Sequence, residues 1–375
     1  MDFLLEGFQS IAANPKVIVM WIVGGLLIFL AIKFDMEPAL LLPMGFGAII
    51  INLVDPMLSG LAGENGIMEW LFNVGIGMSE AMPILLFIGI GAMIDFGPLL
   101  SNPKLFLLGG AAQFGIFITI VFATLMGFPL KDAAAIGIIG AADGPTSIFV
   151  AIKLGSQFVA PIMVVAYSYM ALVPIIQPAV IKLCTTKKER LIRMDYSSRN
   201  ISRTTRILFP IVVTAVSGII APKSLSLLGF LMFGNLIREC GVLKTMSETA
   251  QHEFANIITL LLGITIAFQM QAENFVTWQT LMIMVLGLIA FVFDTFAGVM
   301  TAKFFNLFTK KKINPMIGAS GISAFPMSAR VVHKMGLKED PSNFLLMHAV
   351  GVNVSGQIAS AIVGGLILTI MPTLL

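Results

Sequence analysis

The sequence predicts an all-α, polytopic membrane protein made of two related halves, each carrying a broken, re-entrant segment. Three observations carry that prediction. The 375 residues are 57% hydrophobic and only 11% charged, with a mean hydropathy of +0.96, whereas soluble domains carry about 25% charged residues. Apolar runs long enough to cross or half cross a bilayer recur along the whole chain. Several of those runs are interrupted by glycine and proline, and three of them resemble three others in the same order.

In chain order the runs lie near 16–33, 39–54, 83–100, 105–128, 133–152, 158–183, 207–221, 225–238, 256–270, 279–302, 313–330 and 343–371. The first, Val17 to Ile32, reads as a retained span, because Asp2 and Glu6 precede it in place of a basic leader. Lys182 to Arg206 is the longest polar stretch, with Lys182, Lys187, Lys188, Arg190, Arg193, Arg199, Arg203 and Arg206 against Glu189 and Asp195. By the positive-inside rule this loop is cytoplasmic, and Lys303 with Lys310, Lys311 and Lys312 marks the same side. Four runs separate the two basic stretches, an even number, which agrees. Cys184 and Cys240 have no paired spacing, and His252, His333 and His348 form no metal-binding pattern. A net charge of +3 is too small to indicate a polyanionic partner, and no nucleic acid is expected.

The internal similarity sets the organisation. LLPMGFGAIIINL at 41–53 resembles LLGFLMFGNLI at 227–237, LLFIGIGAMIDF at 85–96 resembles LLLGITIAFQM at 260–270, and IGAADGPTS at 139–147 resembles IGASGISAFP at 317–326. Residues 1–184 are expected to form a first membrane repeat, 185–206 the basic loop and 207–375 a second repeat with its break at 314–330. Paired breaks in duplicated halves are the sequence signature of transporters with inverted-topology repeats, where the breaks meet near the midplane.

The chemistry concentrates in those breaks. Asp143 stands between Gly140, Gly144 and Pro145 in an otherwise apolar run. A carboxylate at membrane depth costs about 2.5–3.5 kcal/mol and marks an ion or proton path. Hard cations take carboxylate, carbonyl and hydroxyl oxygen, which Asp143, Thr146, Ser147, Ser320, Ser323 and the freed carbonyls of both breaks supply. In the last run Asn353, Gln357 and Ser360 fall on one helical face. Asp95, just before a Gly-Pro break whose end it could cap, and Asp294, mid-run, are two further acids, each open to a reading as a second ion ligand, a salt-bridge partner or a proton carrier. Tyr167 and Tyr169 lie too deep in their run for an interfacial belt, and at least one is expected to hydrogen-bond.

GAADGPTSIF at 140–149, MIDFGPLL at 93–100, FGNLIRE at 233–239, NPMIGASGISAFPMSARV at 314–331 and VNVSGQI at 352–358 resemble the beta subunits of the sodium-translocating biotin-dependent decarboxylases. These are the oxaloacetate, methylmalonyl-CoA and glutaconyl-CoA enzymes of anaerobic bacteria. The resemblance covers essentially the whole chain. It implies a sodium pump of the bacterial cytoplasmic membrane with an elevator-type architecture, in which carboxybiotin loses carbon dioxide, consumes a proton and drives sodium export. It also implies a biotin carrier subunit, a carboxyltransferase alpha subunit, a small gamma or delta membrane subunit and a homotrimer. Carried over by motif, the catalytic residues are Asp143, Tyr169 and Arg330, with Arg330 facing carboxybiotin, and the sodium ligands come from Asp143, Asn314, Gly318, Ser323 and Asn353. Composition, repeat and breaks fit a stand-alone sodium/proton exchanger or sodium/organic-acid symporter equally well; only the motifs favour the decarboxylase.

Overall fold

The computed structural model describes residues 14–195 and 201–374, apart from 54, 58, 64, 65 and 79. Every regular element among them is helical. Of the basic loop, Arg199 lies outside the described residues, as do the first thirteen residues of the first repeat. The principal helices are α1 (Lys16–Phe34), α2 (Pro38–Ile51), α3 (Ala81–Met93), α4 (Leu105–Ala111), α5 (Phe114–Leu125), α6 (Leu130–Gly137) and α7 (Gly144–Lys153). They continue with α8 (Val159–Cys184), α9 (Arg203–Ile220), α10 (Leu225–Cys240), α11 (Ala255–Ala267), α12 (Trp278–Phe308), α13 (Met327–Glu339) and α14 (Leu346–Leu374).

Seven spans among the described residues are long and apolar enough to cross a membrane: α1, α4 with α5, α8, α9, Lys244–Ala267, α12 and α14. The chain is a multi-pass membrane protein. Helix is the form the lipid imposes, because it pairs the backbone polar groups of each segment internally. The ends are set locally. Ser202 accepts from the Thr205 amide at the start of α9, at 3.1 Å, Thr277 does the same for Thr280 at the start of α12, at 3.2 Å, and Pro38 opens α2. Ile67–Gly77, a short helix continued by a π-helical turn, has no counterpart among the apolar runs.

Two large packed groups make up most of the interior, with a smaller third around Phe128, Ile136 and Ile162. One joins α1, α2, α3 and α11 with Ile148, Met163 and Tyr167. The other surrounds the two breaks and includes α10, α12, α13 and α14. Between α3 and α10 the backbones touch: a Cβ on Gly91 would lie 1.9 Å from the Leu231 oxygen, and one on Gly234 2.0 Å from that of Ile88. Only two residues without side chains permit that approach.

Both breaks are hairpins. Lys131 Nζ donates to the Gly155 carbonyl at 3.3 Å and Ser156 Oγ to Asp132 Oδ1 at 2.7 Å, tying the start of α6 to the end of α7. The first hairpin therefore enters and leaves at one end of the molecule. At the other end, Asn314 Nδ2 donates to the carbonyls of Arg190 and Ile192 at 2.8 and 2.9 Å. Arg190 pairs with Glu339 at 2.7 Å. The basic loop thus holds both feet of the second hairpin, the 3₁₀ stretch Pro315–Gly321 and α13. α8, 26 residues and about 39 Å long, separates the two mouths. The tips meet: the Ser323 amide donates to the Ala141 carbonyl at 2.9 Å.

Candidate cation site

Sequence explains the shape of the first tip. After α6 the chain tightens into a 3₁₀ turn, Ile138–Ala141, and Ala142 takes the left-handed conformation at φ 51°. That costs about 1–2 kcal/mol for a residue with a Cβ, and such strain collects at functional sites. Asp143 returns to extended backbone as the N-cap of α7, with Pro145 in the first turn, where its missing amide is no loss.

The two oxygens of Asp143 have different surroundings. Oδ2 accepts from Thr146 Oγ1 at 2.7 Å, Ser360 Oγ at 2.9 Å and Gln357 Nε2 at 3.1 Å. Oδ1 receives only the Thr146 amide, at 3.3 Å. Asp143 is 2% exposed, and no ion pair within 4 Å reaches it among the described residues. Three donors hold one oxygen in place and leave the other open for a cation, since charge-assisted bonds are the strong ones.

α14 bridges both tips. Gln357 and Ser360 reach Asp143, while one turn earlier Asn353 Nδ2 donates to the Ile322 carbonyl at 2.6 Å. Asn353 Oδ1 is buried without a partner, as is Ser320 Oγ. Buried acceptors left open in this way call for an explanation, and an ion is one. Ser323 lies at the contact of the tips, its Oγ donating to the Gly356 carbonyl at 3.1 Å. Gln357 is eleven residues into α14, about 16 Å along its axis, close to the middle of a hydrocarbon core about 30 Å thick.

Of the residues expected at the site, the structure brings together Asp143, Thr146, Ser323 and Asn353, and gives Asn314, Gly318, Arg330 and Tyr169 other surroundings. Asn314 caps Met316 through Oδ1 and spends its amide on the basic loop, so it anchors the hairpin foot. Gly318 abuts α12, where a Cβ would lie 2.0 Å from the Gly298 oxygen. Arg330 is exposed on α13. Tyr169 Oη donates to the Met284 carbonyl of α12 at 2.5 Å, whereas the Tyr167 ring lies against Gly144, where a Cβ would be 2.3 Å from Cε1 and Cζ. The residue beside Asp143 is therefore Tyr167, two positions earlier on a different helix face. Thr146 is legible beside Asp143 from its place three residues on, whereas Gln357 and Ser360 are legible only as one polar face, which packing ties to Asp143.

Of the two other acids weighed, Asp95 serves a helix end and Asp294 packs against the first tip, where a Cβ on Gly140 would lie 2.7 Å from its Oδ2. Asp95 accepts from the Gly97 amide at 2.8 Å and lies 3.6 Å from Arg206, a capping role. Asp294 is fully buried in α12 and accepts from the Gly115 amide at 2.6 Å. Among the described residues no three of His, Cys, Asp and Glu converge as metal ligands. One carboxylate with neutral oxygens suits a monovalent ion.

The class defined so far is a helical membrane protein with a buried carboxylate held between two opposed hairpin tips, a donor set that can take a cation. The comparisons place it in a family. Residues 16–371 match the family described as Na+-transporting oxaloacetate decarboxylase beta subunit. The chain is 46% identical to the methylmalonyl-CoA decarboxylase subunit beta of Propionigenium modestum, covering 97% of this chain and 96% of that one. It is also 46% identical to the glutaconyl-CoA decarboxylase subunit beta of Acidaminococcus fermentans, over 94% and 92% of the two chains. With the oxaloacetate decarboxylase beta chain 2 of Salmonella typhi the identity is 41%, over 98% of both. The chain belongs to this family of decarboxylase beta subunits.

Proposed function

We propose that this chain is the membrane sodium-pump subunit of a biotin-dependent decarboxylase in the bacterial cytoplasmic membrane. It exports sodium through the Asp143 site as carboxybiotin is decarboxylated at the cytoplasmic face. The observation that carries the reading is the asymmetric Asp143 carboxylate, one oxygen saturated and one open, buried where the hairpin tips meet. Asp143, Asn353 and Ser323 supply oxygens for sodium, with backbone carbonyls of the tips completing the shell.

Sodium and a proton exclude each other at one carboxylate, because the cation favours the ionised form and protonation removes the charge. Sodium arriving from the cytoplasm releases the proton. In the partner reaction the bond between the carboxyl carbon and the ureido nitrogen breaks, carbon dioxide leaves, and the nitrogen takes up that proton. Arg330, exposed on α13, pairs with the incoming carboxylate. Tyr169 steadies α8 on α12 through Met284.

The duplicated halves act as inverted repeats. α2 packs on α11 while α10 packs on α3. Each helix of a matched pair therefore contacts the partner of the other, as a two-fold relation requires. The two opposed hairpins support alternating access by an elevator-type movement. The organic substrate is set by a carboxyltransferase alpha subunit, with a biotin carrier, a gamma or delta subunit and a homotrimer as the assembly. The test is Asp143→Asn in the reconstituted complex: sodium transport and avidin-sensitive decarboxylation are both lost. Transport near the wild-type rate would refute the reading.

A further inference from the structure

The second hairpin tip is held from outside by side-chain amides. On α8, Gln177 Nε2 donates to the Ala319 carbonyl and to Ser328 Oγ, each at 2.7 Å. One side chain thus grips both arms of the hairpin, the 3₁₀ stretch and α13. In the turn between α4 and α5, Gln113 Nε2 donates to the Gly321 carbonyl at 3.2 Å and to the Gly109 carbonyl at 3.3 Å. Asn353 on α14 meets the Ile322 carbonyl in the same way. Carbonyls that the broken backbone sets free are therefore taken up by amides from three separate elements. Gln113 is 2% exposed and Gln177 is wholly buried, and the side-chain oxygen of each has no partner among the described residues. An unpaired buried oxygen costs stability, and an apolar residue would avoid that cost. What glutamine adds at both positions is its NH2 group. Close backbone contacts press the tip onto the same elements: a Cβ on Gly321 would lie 2.5 Å from the Ala112 Cβ, and one on Gly356 2.0 Å from the Gly321 oxygen.

We propose that Gln113 and Gln177 are positioning residues that set the ion selectivity of the Asp143 site. A carbonyl oxygen carries two lone pairs, and an amide on one of them fixes the direction of the other. Pinned at Ala319 and Gly321, the second tip keeps its shape, and the bond from the Ser323 amide to the Ala141 carbonyl sets its gap to the first tip. The two tips then have different tasks. The first brings the charge of Asp143, which attracts any monovalent cation. The second supplies a wall of fixed form. Choice between cations of equal charge follows from the size, ligand number and rigidity of the cage. A tip released from its amides would close around lithium, which is smaller than sodium, and spread around potassium, which is larger. Neither glutamine hydrogen-bonds Asp143, so both act through the backbone of the tip.

This inference rests on the sodium-pump reading of Asp143, and its test separates the two. Gln113→Met and Gln177→Met keep the length and bulk of the side chain and remove the NH2 group. Each is made in the complete decarboxylase complex, and bound radioactive sodium is competed with lithium and with potassium. In both variants each competitor gains on sodium by at least about twofold, the scale of one lost hydrogen bond. Ratios that change by less than about twofold overturn the positioning role, even where sodium affinity itself falls, because a merely structural loss weakens all three ions alike. If one variant does not assemble, the other decides. If neither assembles, Ser328→Ala, which leaves Gln177 a grip on one arm only, decides by the same ratios. Sodium binding that survives Asp143→Asn would remove the reading of that site, and this inference with it. Loss of binding in Asp143→Asn with unchanged ratios in the glutamine variants removes the positioning role alone.

Discussion

Ser360→Ala isolates the hydrogen-bonding logic of the site. The hydroxyl donates to Asp143 Oδ2 at 2.9 Å, beside Thr146 at 2.7 Å and Gln357 at 3.1 Å. Alanine removes a single donor, and position 360 is wholly buried in a long helix that alanine favours. A hydrogen bond to a charged group is worth about 1.5–3 kcal/mol. The bond stabilises the ionised carboxylate that sodium needs, and has less to offer the protonated one, so its loss favours the proton. With 1.4 kcal/mol per tenfold, apparent sodium affinity at neutral pH should fall by about ten- to a hundredfold. Raising the pH should recover most of it, because protons then compete less. The assay is equilibrium binding of radioactive sodium to the purified complex at a series of pH values. Affinity equal to wild type at every pH would refute the argument that donors to Oδ2 tune the site. A loss that alkaline pH does not recover would refute the competition.

Gly144→Ala should be severe, since its Cβ would fall 2.3 Å from the Tyr167 ring. Overpacking of about 1–3 kcal/mol and loss of sodium binding are expected from thermal unfolding and binding assays. Asn314→Ala should free a foot of the second hairpin by deleting two bonds to the basic loop. Faster hydrogen exchange at 314–326 and a loss of about 1–3 kcal/mol are expected, with unchanged exchange as the contrary result. Tyr169→Phe should leave sodium binding intact, as its hydroxyl is spent on Met284; loss of binding would make it a ligand. At the surface, hydrogen bonds from Arg193 and the Ser342 amide hold the Asp340 carboxyl below the usual carboxylate range. The folded value is lowered, so the contribution is present above the ordinary carboxylate pKa, about 3.9, and fades as pH falls through the lowered value. Arg193→Ala should remove that acid dependence, read as hydrogen exchange at 340–343 in acid.

Much of the site could be read from the chain because its chemistry conflicts with its surroundings. Asp143 stands out in an apolar run, the glycines and prolines beside it forbid a plain helix, and Asn353, Gln357 and Ser360 announce one polar face by their spacing. The hairpins were likewise legible as paired breaks. What sequence did not resolve is which of two nearby groups points inward. Tyr167 and Tyr169 differ by about 200° around a helix, and only packing on Gly144 or on α12 tells them apart. Asn314 carries suitable ligand atoms, yet the basic loop takes its amide. Ile67–Gly77 went unassigned because it is short and interrupted by glycine.

Direct binding of radioactive sodium to the purified wild-type and Asp143→Asn complexes addresses the core of the account, free of any dependence on turnover. Asparagine preserves the size of the side chain and an oxygen but removes the charge, and the account predicts that sodium affinity falls by at least about tenfold. Equal affinity in the two proteins would mean that sodium is held elsewhere.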